Sequence, residues 1–547
     1  MKWMFLERLL TVWLVIGVCT AAKAQHVMQM PTGTPASPSN DPHLTTPIAN
    51  LGDGGIDAES ALPAARIAFD NGVKLDNSFS QEEALRAFML AEHLDPHCAM
   101  CYWGEASSLA PTINYTVPRQ AAVRAVEALS HAESITDGLS PKAKGIIAGE
   151  RQRYLLRDGN WVVDDEAEAR ATDALAERFP NDDALQVSAA NAQMIAAENG
   201  MPGSASATDP HLARAQVRLE TVLRRNSTYT PAIHLYLHLT EWQGRPAASL
   251  PYAQRLAALA PKSGHLLHMA SHIDYHTGNY EAAAQANMAA VAADIEYVEK
   301  MQPPGGMNAL PMHQHNLLFG LVASLISGDK DLALKFANEM QRSSPRESLA
   351  FAESYFAFGR FAPTADVLNL KAPTASLASA FYHFARGEAL IRDNDSHGAL
   401  QEAEIIENIK KTGSFEHTDP QVVSMLTVAL HMLSGRAAMV RKDYATAVKE
   451  YSFASSFEAE HDGYRDPQIW PWPPRRSLAE ALLLQGNPLG ARKEIETTLQ
   501  AVPDDPISGT VLGAIEEKMQ DHPSSSIPEH AGKIWLGPTD SLKPAMI

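Results

Sequence analysis

From about residue 63 the apolar side chains recur three and four positions apart, with polar residues filling the opposite face, which predicts amphipathic α-helices almost throughout. Ala, Leu and Glu dominate, and β-branched runs are few. The helical pattern itself repeats. In 65–98, Gly72, Leu75, Ala84, Phe88, Ala91 and Pro96 fall at positions 8, 11, 20, 24, 27 and 32 of a 34-residue unit. The register returns in 428–461 through Gly435, Ala438, Tyr444, Ala447, Tyr451 and Ala454, and in 472–505 through Leu482, Gly486, Ala491 and Pro503. Partial copies occupy 230–263, 264–297, 314–347 and 380–413. Small residues let two antiparallel helices approach, large ones fill the space between them, and proline stops the second helix.

This spacing resembles the tetratricopeptide (TPR) repeat. It implies an all-α, TPR-like α-solenoid of antiparallel helix pairs, in which neighbouring repeats bury each other's faces. Residues 141–225 keep the helix-turn-helix plan with poor consensus, and segments 198–210, 297–313 and 412–420 read as loops. The chain divides into N-terminal repeats (63–225), histidine-rich repeats (226–347), C-terminal repeats (348–519) and a loose tail (520–547).

The first residues follow a different rule. Lys2 and Arg8, an apolar stretch Leu9–Val18, and Ala22-Lys23-Ala24 have the form of a signal peptide for 1–24, with cleavage before Gln25. A periplasmic or secreted location is the expectation, with no membrane span in the mature chain. Residues 25–62 are rich in Pro, Thr, Ser, Asn and Gly without periodicity, and read as a flexible segment. His26, Met28 and Met30 within it could hold a soft metal ion. Across all 547 residues, 45 Lys and Arg against 64 Asp and Glu give a net charge of −19. That balance argues against nucleic acid as a partner, because phosphates repel an acidic surface. Three cysteines are too few for a disulfide-stapled scaffold.

Candidate chemistry concentrates in the histidines. Eight of the 21 lie between residues 234 and 315, where uniform scatter would place about three. His234 and His238 are four apart on one helix face and recur one repeat later as His268 and His272. His265 and His276 extend the second set, and His313 and His315 follow. Imidazoles leaning inward from two helices about 8–10 Å apart can converge, and three or four such ligands suit Zn²⁺ or Cu²⁺. The expectation places His234, His238, His268 and His272 around one ion, with His265, His315 and Glu241 as further ligands or supports. Glu241 could also act as a base toward metal-bound water. His276 and Trp242 are further groove candidates. Without a metal, the same polar groove would hydrogen-bond a peptide.

Two other constellations stand out. Cys98 and Cys101 form a C-x-x-C, readable as a local disulfide, a packing pair, a metal site completed by His93 or His97, or a redox pair. Tyr102 follows the second cysteine, where covalent haem attachment needs histidine. The stretch Tyr464-Arg465-Asp466-Pro467-Gln468-Ile469-Trp470-Pro471-Trp472 reads as an aromatic loop between repeats. Arg475 and Arg476 beyond it could hold a carboxylate in the groove.

The segments DPHCAMCYWGEASSLAPTIN (95–114), IHLYLHLTE (233–241), GHLLHMASHIDYHTGNYEAA (264–283), HNLLFGLVAS (315–324) and DPQIWPWPPRRSLAEALL (466–483) resemble an exported bacterial TPR family. Ala270 and Leu318 depart from its pattern, which carries proline and histidine at those places. The resemblance implies the TPR fold and the same histidine set, and leaves activity open. Three readings follow: an exported binding protein with a His-rich transition-metal site, a metal-free scaffold holding another protein or peptide in its groove, and a metal-dependent hydrolase or oxidase.

Overall fold

The computed structural model describes residues 43–520 and 534–547, apart from Tyr115, Val117 and the stretches 199–204, 416–417 and 462–465. The leader, His26, Met28 and Met30, and Tyr464 and Arg465 lie outside the described residues.

Helices in the first third are α1 (Pro63–Asn77), α2 (Gln81–Leu94), α3 (Ala99–Ser108), α4 (Arg119–Ser134), α5 (Pro141–Arg151), α6 (Asp165–Arg178), α7 (Asp183–Ala197) and α8 (Pro210–Arg225). The middle holds α9 (Thr230–Trp242), α10 (Leu250–Leu259), α11 (Gly264–His276), α12 (Tyr280–Met301), α13 (Met312–Ser327) and α14 (Lys330–Ser343). The last third holds α15 (Leu349–Phe361), the five-residue α16 (Thr364–Leu368), α17 (Ser376–Arg392), α18 (Ser396–Thr412), α19 (Pro420–Val440), α20 (Tyr444–His461), α21 (Pro474–Gln485), α22 (Pro488–Ala501) and α23 (Pro506–Gln520). Each helix packs on the next, and α7, α9, α11, α13, α15, α17, α19, α21 and α23 also touch one another in that order. Odd-numbered helices therefore form one layer and even-numbered helices the other. This is an all-α, TPR-like solenoid.

The repeat residues do the work their spacing implies. A Cβ on Gly320 would stand 2.2 Å from Phe336, one on Gly435 2.3 Å from Tyr451, and one on Gly72 2.7 Å from Phe88. In each case glycine on the first helix admits an aromatic ring from the second. Helices α13 and α21 end in left-handed glycines, Gly328 (φ 83°) and Gly486 (φ 92°), which turn the chain into its partner helix.

Four features depart from the sequence reading. First, the poor-consensus region contains a β-hairpin, β1 (Tyr154–Arg157) and β2 (Asn160–Val163), pairing Tyr154 with Val163. Its turn, Asp158-Gly159, has both residues at positive φ, as a two-residue hairpin requires. Second, residues 43–62 are packed rather than loose. Leu44, Leu51 and Ala58 are buried, Asn71 donates to the carbonyls of Leu44 and Thr46 at 2.9 Å, and the Lys262 amide donates to the Asn50 carbonyl at 3.0 Å. An extended strap with a few apolar anchors has no helical period to reveal it. Third, residues 534–547 also dock: the Leu536 amide donates to Ser327, Arg360 donates to the Met546 carbonyl, and Met546 and Ile547 are buried. Fourth, α19 is long and apolar enough to cross a bilayer, but 72% of its apolar window is covered by its neighbours in the fold.

Candidate metal centre

Three successive helices of the odd-numbered layer present the histidines. Helix α9 starts with Pro231 in its first turn, where the missing N–H costs nothing, and all its residues are buried. Helix α11 is capped by the Ser263 hydroxyl accepting from the Leu266 amide. At its first residue, Gly264, a Cβ would stand 1.8 Å from the Asp294 carboxylate, so only glycine admits that contact. Helix α13 contributes His313 and His315. His234, His238, His265, His268 and His272 are all 4% exposed or less.

The structure brings the expected ligands together in two groups. The four histidines of the two repeat-related pairs do not surround one point. His234, His238 and His265 form one triad, and His268, His272 and His315 form another, with candidate ligand atoms within 4.8 Å of each other in each. His265 leans back toward α9 and His315 comes from α13, which the 34-residue spacing does not show.

In the first triad, His234 Nδ1 lies 2.9 Å from the Asn77 carbonyl, which only accepts, so Nδ1 carries the hydrogen. Burial pushes His234 down to about 4, leaving it neutral with a lone pair on Nε2. That Nε2 faces His265 Nε2 at 3.0 Å. Burial, joined by neighbouring imidazoles, also holds His238 and His265 well below the usual histidine range. Both ring nitrogens of His238, and Nδ1 of His265, are buried without a hydrogen-bond partner. Each such atom costs about 1–3 kcal/mol in a protein interior.

In the second triad, His268 Nδ1 lies 2.7 Å from Asn287 Oδ1. The Asn287 amide nitrogen donates to Ala283 O and Ser271 Oγ at 2.8 Å, which fixes its orientation and puts the hydrogen on His268 Nδ1. His272 Nδ1 points to Asp466 at 2.9 Å and Glu241 at 3.1 Å. The remaining nitrogens, His268 Nε2 and His272 Nε2, stand 2.8 Å apart. Burial holds His268 well below the usual range. It also lowers His272, but Glu241 and Asp466 outweigh it and raise His272 to about 9. In the metal-free chain, a proton on His272 Nε2 therefore bridges to His268.

Glu241, His272, His276 and Asp466 form a third group. His276 Nε2 lies 3.1 Å from Asp466 and 3.7 Å from Glu241. Burial lowers His276, but Asp466 and then Glu241 outweigh it and raise it to about 10. Burial raises both carboxyls, but the two imidazoles more than reverse this and hold Glu241 below, and Asp466 well below, the usual carboxylate range. Two carboxylates and two imidazoliums balance there. Glu241 is thus tied to His272 rather than aimed at an open position, which corrects its expected role as a base.

Two aromatic rings close the centre. Phe79 packs on His234, His265 and His238 at centroid distances of 4.5, 5.1 and 5.9 Å. Its φ of 55° is a left-handed conformation unusual for a bulky residue, held here by packing at the site. Phe319 packs on His272, His268 and His315 at 4.5, 5.1 and 5.8 Å. His234 also lines a cavity whose walls carry Asp76, Glu150, Arg153 and Glu168.

Other expected site residues serve the fold. Trp242 is 4% exposed within the apolar core around α8–α10, not on a groove surface. Arg476 is fully buried and paired with Asp505 at 2.8 Å, and Arg475 pairs with Glu494 at 2.5 Å, so neither awaits a groove carboxylate. His313 turns to Asp294 at 3.0 Å. Cys98 and Cys101 are bonded to each other and buried, which leaves no thiolate for a metal at exposed His93 or His97. Trp470 and Trp472 are buried against Phe356, as an inter-repeat packing loop requires.

The sequence reading missed Asn77, Phe79, Asn287, Phe319 and Asp466. Asp466 lies in the aromatic loop singled out above, but nothing in its spacing ties it to His272, 190-odd residues away. Asn287 has a fainter signal: it sits 19 residues after His268, facing it across one helix pair.

No family model matches the chain, and no curated protein matches it. Among solved structures, the TPR domain of P58(IPK) aligns over 84% of this chain and 99% of its own length at 12% identity, with a TM-score of 0.25. The APC/C hetero-tetramer Cut9–Hcn1 aligns over 85% of this chain and 77% of its own at 12% identity, with a TM-score of 0.29. Superpositions this loose add nothing to the fold that the helix pairs already establish.

Proposed function

We propose that this chain is an exported TPR-like protein that binds a transition-metal ion of the Zn²⁺ or Cu²⁺ class through its buried histidines. The observation that carries the reading is the unpartnered ring nitrogens of His238 and His265, grouped with His234 in one buried triad. His238 and His265 offer nitrogens with no hydrogen-bond partner, and His234 Nε2 offers a lone pair that an ion would take over from its contact with His265. Three imidazoles sealed under Phe79 thus meet the ligand type and number such an ion requires. The Asn77 carbonyl, holding His234 by its other nitrogen, is the kind of support that orients metal-bound histidine. A scaffold laying a peptide across these residues would need them open, and they are buried. Export rests on the leader-like residues 1–24.

The test is elemental analysis of the secreted chain, purified without a polyhistidine tag. The expected result is stoichiometric zinc or copper, reduced in a His234→Ala/His238→Ala variant whose circular dichroism is unchanged. No metal, even after reconstitution with either ion, overturns the reading. N-terminal sequencing should begin at Gln25, and an intact Met1 would remove the export part alone.

A further inference from the structure

The two triads are neighbours, and we infer that the centre is binuclear: one ion at His234, His238 and His265, and a second at His268, His272 and His315. This inference rests on the metal-binding reading and sets its stoichiometry.

The geometry excludes one shared ion. His272 Nε2, the only nitrogen of that ring turned from the carboxylates, faces His268 at 2.8 Å, so it is committed to the second triad. His234 Nε2 faces His265 at 3.0 Å and is committed to the first. Each triad meets the three-ligand requirement separately. They nevertheless stand side by side: the His265 and His268 rings are 6.0 Å apart, and the His238 and His272 rings 6.3 Å.

Both triads carry their own supports. Asn287 holds His268 by Nδ1, and Asp466 with Glu241 holds His272 by Nδ1, leaving both Nε2 atoms pointing inward. A carboxylate behind a histidine raises its basicity toward a metal. Two neighbouring dications repel. An ion at His272 Nε2 displaces the proton held there to solvent, which leaves Glu241 and Asp466 with one negative charge beyond that matched by His276, and this charge offsets part of the repulsion. His315 is half-buried, the most accessible member of the set.

Cu²⁺ is the suitable probe, because nitrogen ligands bind it most tightly among the divalent first-row ions. The full mature chain, without a tag and stripped with chelator, is titrated with Cu²⁺. Weakly held ion is removed by gel filtration, and the copper is counted. The wild type is expected to retain two equivalents. His234→Gln/His238→Gln and His268→Gln/His315→Gln are each expected to retain one. Should a variant misfold, electron paramagnetic resonance of the wild type decides. An isolated Cu²⁺ spectrum at one equivalent should give way at two to dipolar broadening with a half-field signal. A single retained equivalent, or two that stay magnetically isolated, overturns the binuclear centre and leaves metal binding intact. Two equivalents untouched in both folded variants also overturn it, by placing the ions elsewhere. No retained copper overturns the metal-binding reading itself.

Discussion

His238 is the residue on which the proposed metal bears most directly. With both ring nitrogens buried and unpartnered, it should destabilise the metal-free chain by about 1–3 kcal/mol per orphaned atom. His238→Leu keeps most of the volume and removes that cost. After chelator treatment this variant should melt above the wild type. After loading with Cu²⁺ or Zn²⁺ the order should reverse, because an ion that binds only the folded state raises its stability. Parallel melting curves with and without metal check both signs, and the same order under both conditions would contradict the assignment. Asp76 gives a pH signature. Burial, opposed by a hydrogen bond from Ser107 and aided by Glu150, raises its carboxyl from 3.8 to about 7. Between these values the folded chain holds a proton that the unfolded chain has released, so stability falls as pH rises through that window. Asp76→Asn should therefore gain on the wild type at pH 8 and match it near pH 4, as denaturant titrations at the two pH values would show.

At the scale of helices, the glycine–aromatic pairing makes a claim against propensity. Alanine is better than glycine inside a helix by about 1 kcal/mol. At Gly320 the new methyl would stand 2.2 Å from the fully buried Phe336 ring, and overpacking of that kind costs about 1–3 kcal/mol. Gly320→Ala should lower the melting temperature, and adding Phe336→Leu should recover part of the loss. Such pairs were legible in the sequence because both members lie within one repeat, sixteen positions apart. The histidine faces of α9 and α11 were legible for the same reason. Their sorting into two triads was not, since it depends on how α13 lies against α11, and period alone does not encode that. The hairpin at 154–163 had a local signal in Asp158-Gly159 that a helical pattern on both sides obscured. Asp466 had none, because a loop contact across nearly two hundred residues leaves no spacing to read.

The whole molecule closes around the centre from both directions. Phe79, just beyond α1, covers the first triad, while Asp466 arrives from the loop before α21 and is anchored there by buried Trp470 and Trp472. Residues 43–62 and 534–547 strap the solenoid, so these covers are not free to swing independently. A lid of this kind governs rates rather than affinities. An ion in the first triad would leave only as fast as the Phe79 turn opens, so chelators should strip that ion at a rate independent of their concentration. Phe79→Ala should accelerate that release at least tenfold while leaving the number of bound ions unchanged, as stopped addition of a chromophoric chelator would record. Under the proposed metal-binding reading, an ion beneath such a cover would exchange slowly, on the timescale of the protein's own opening.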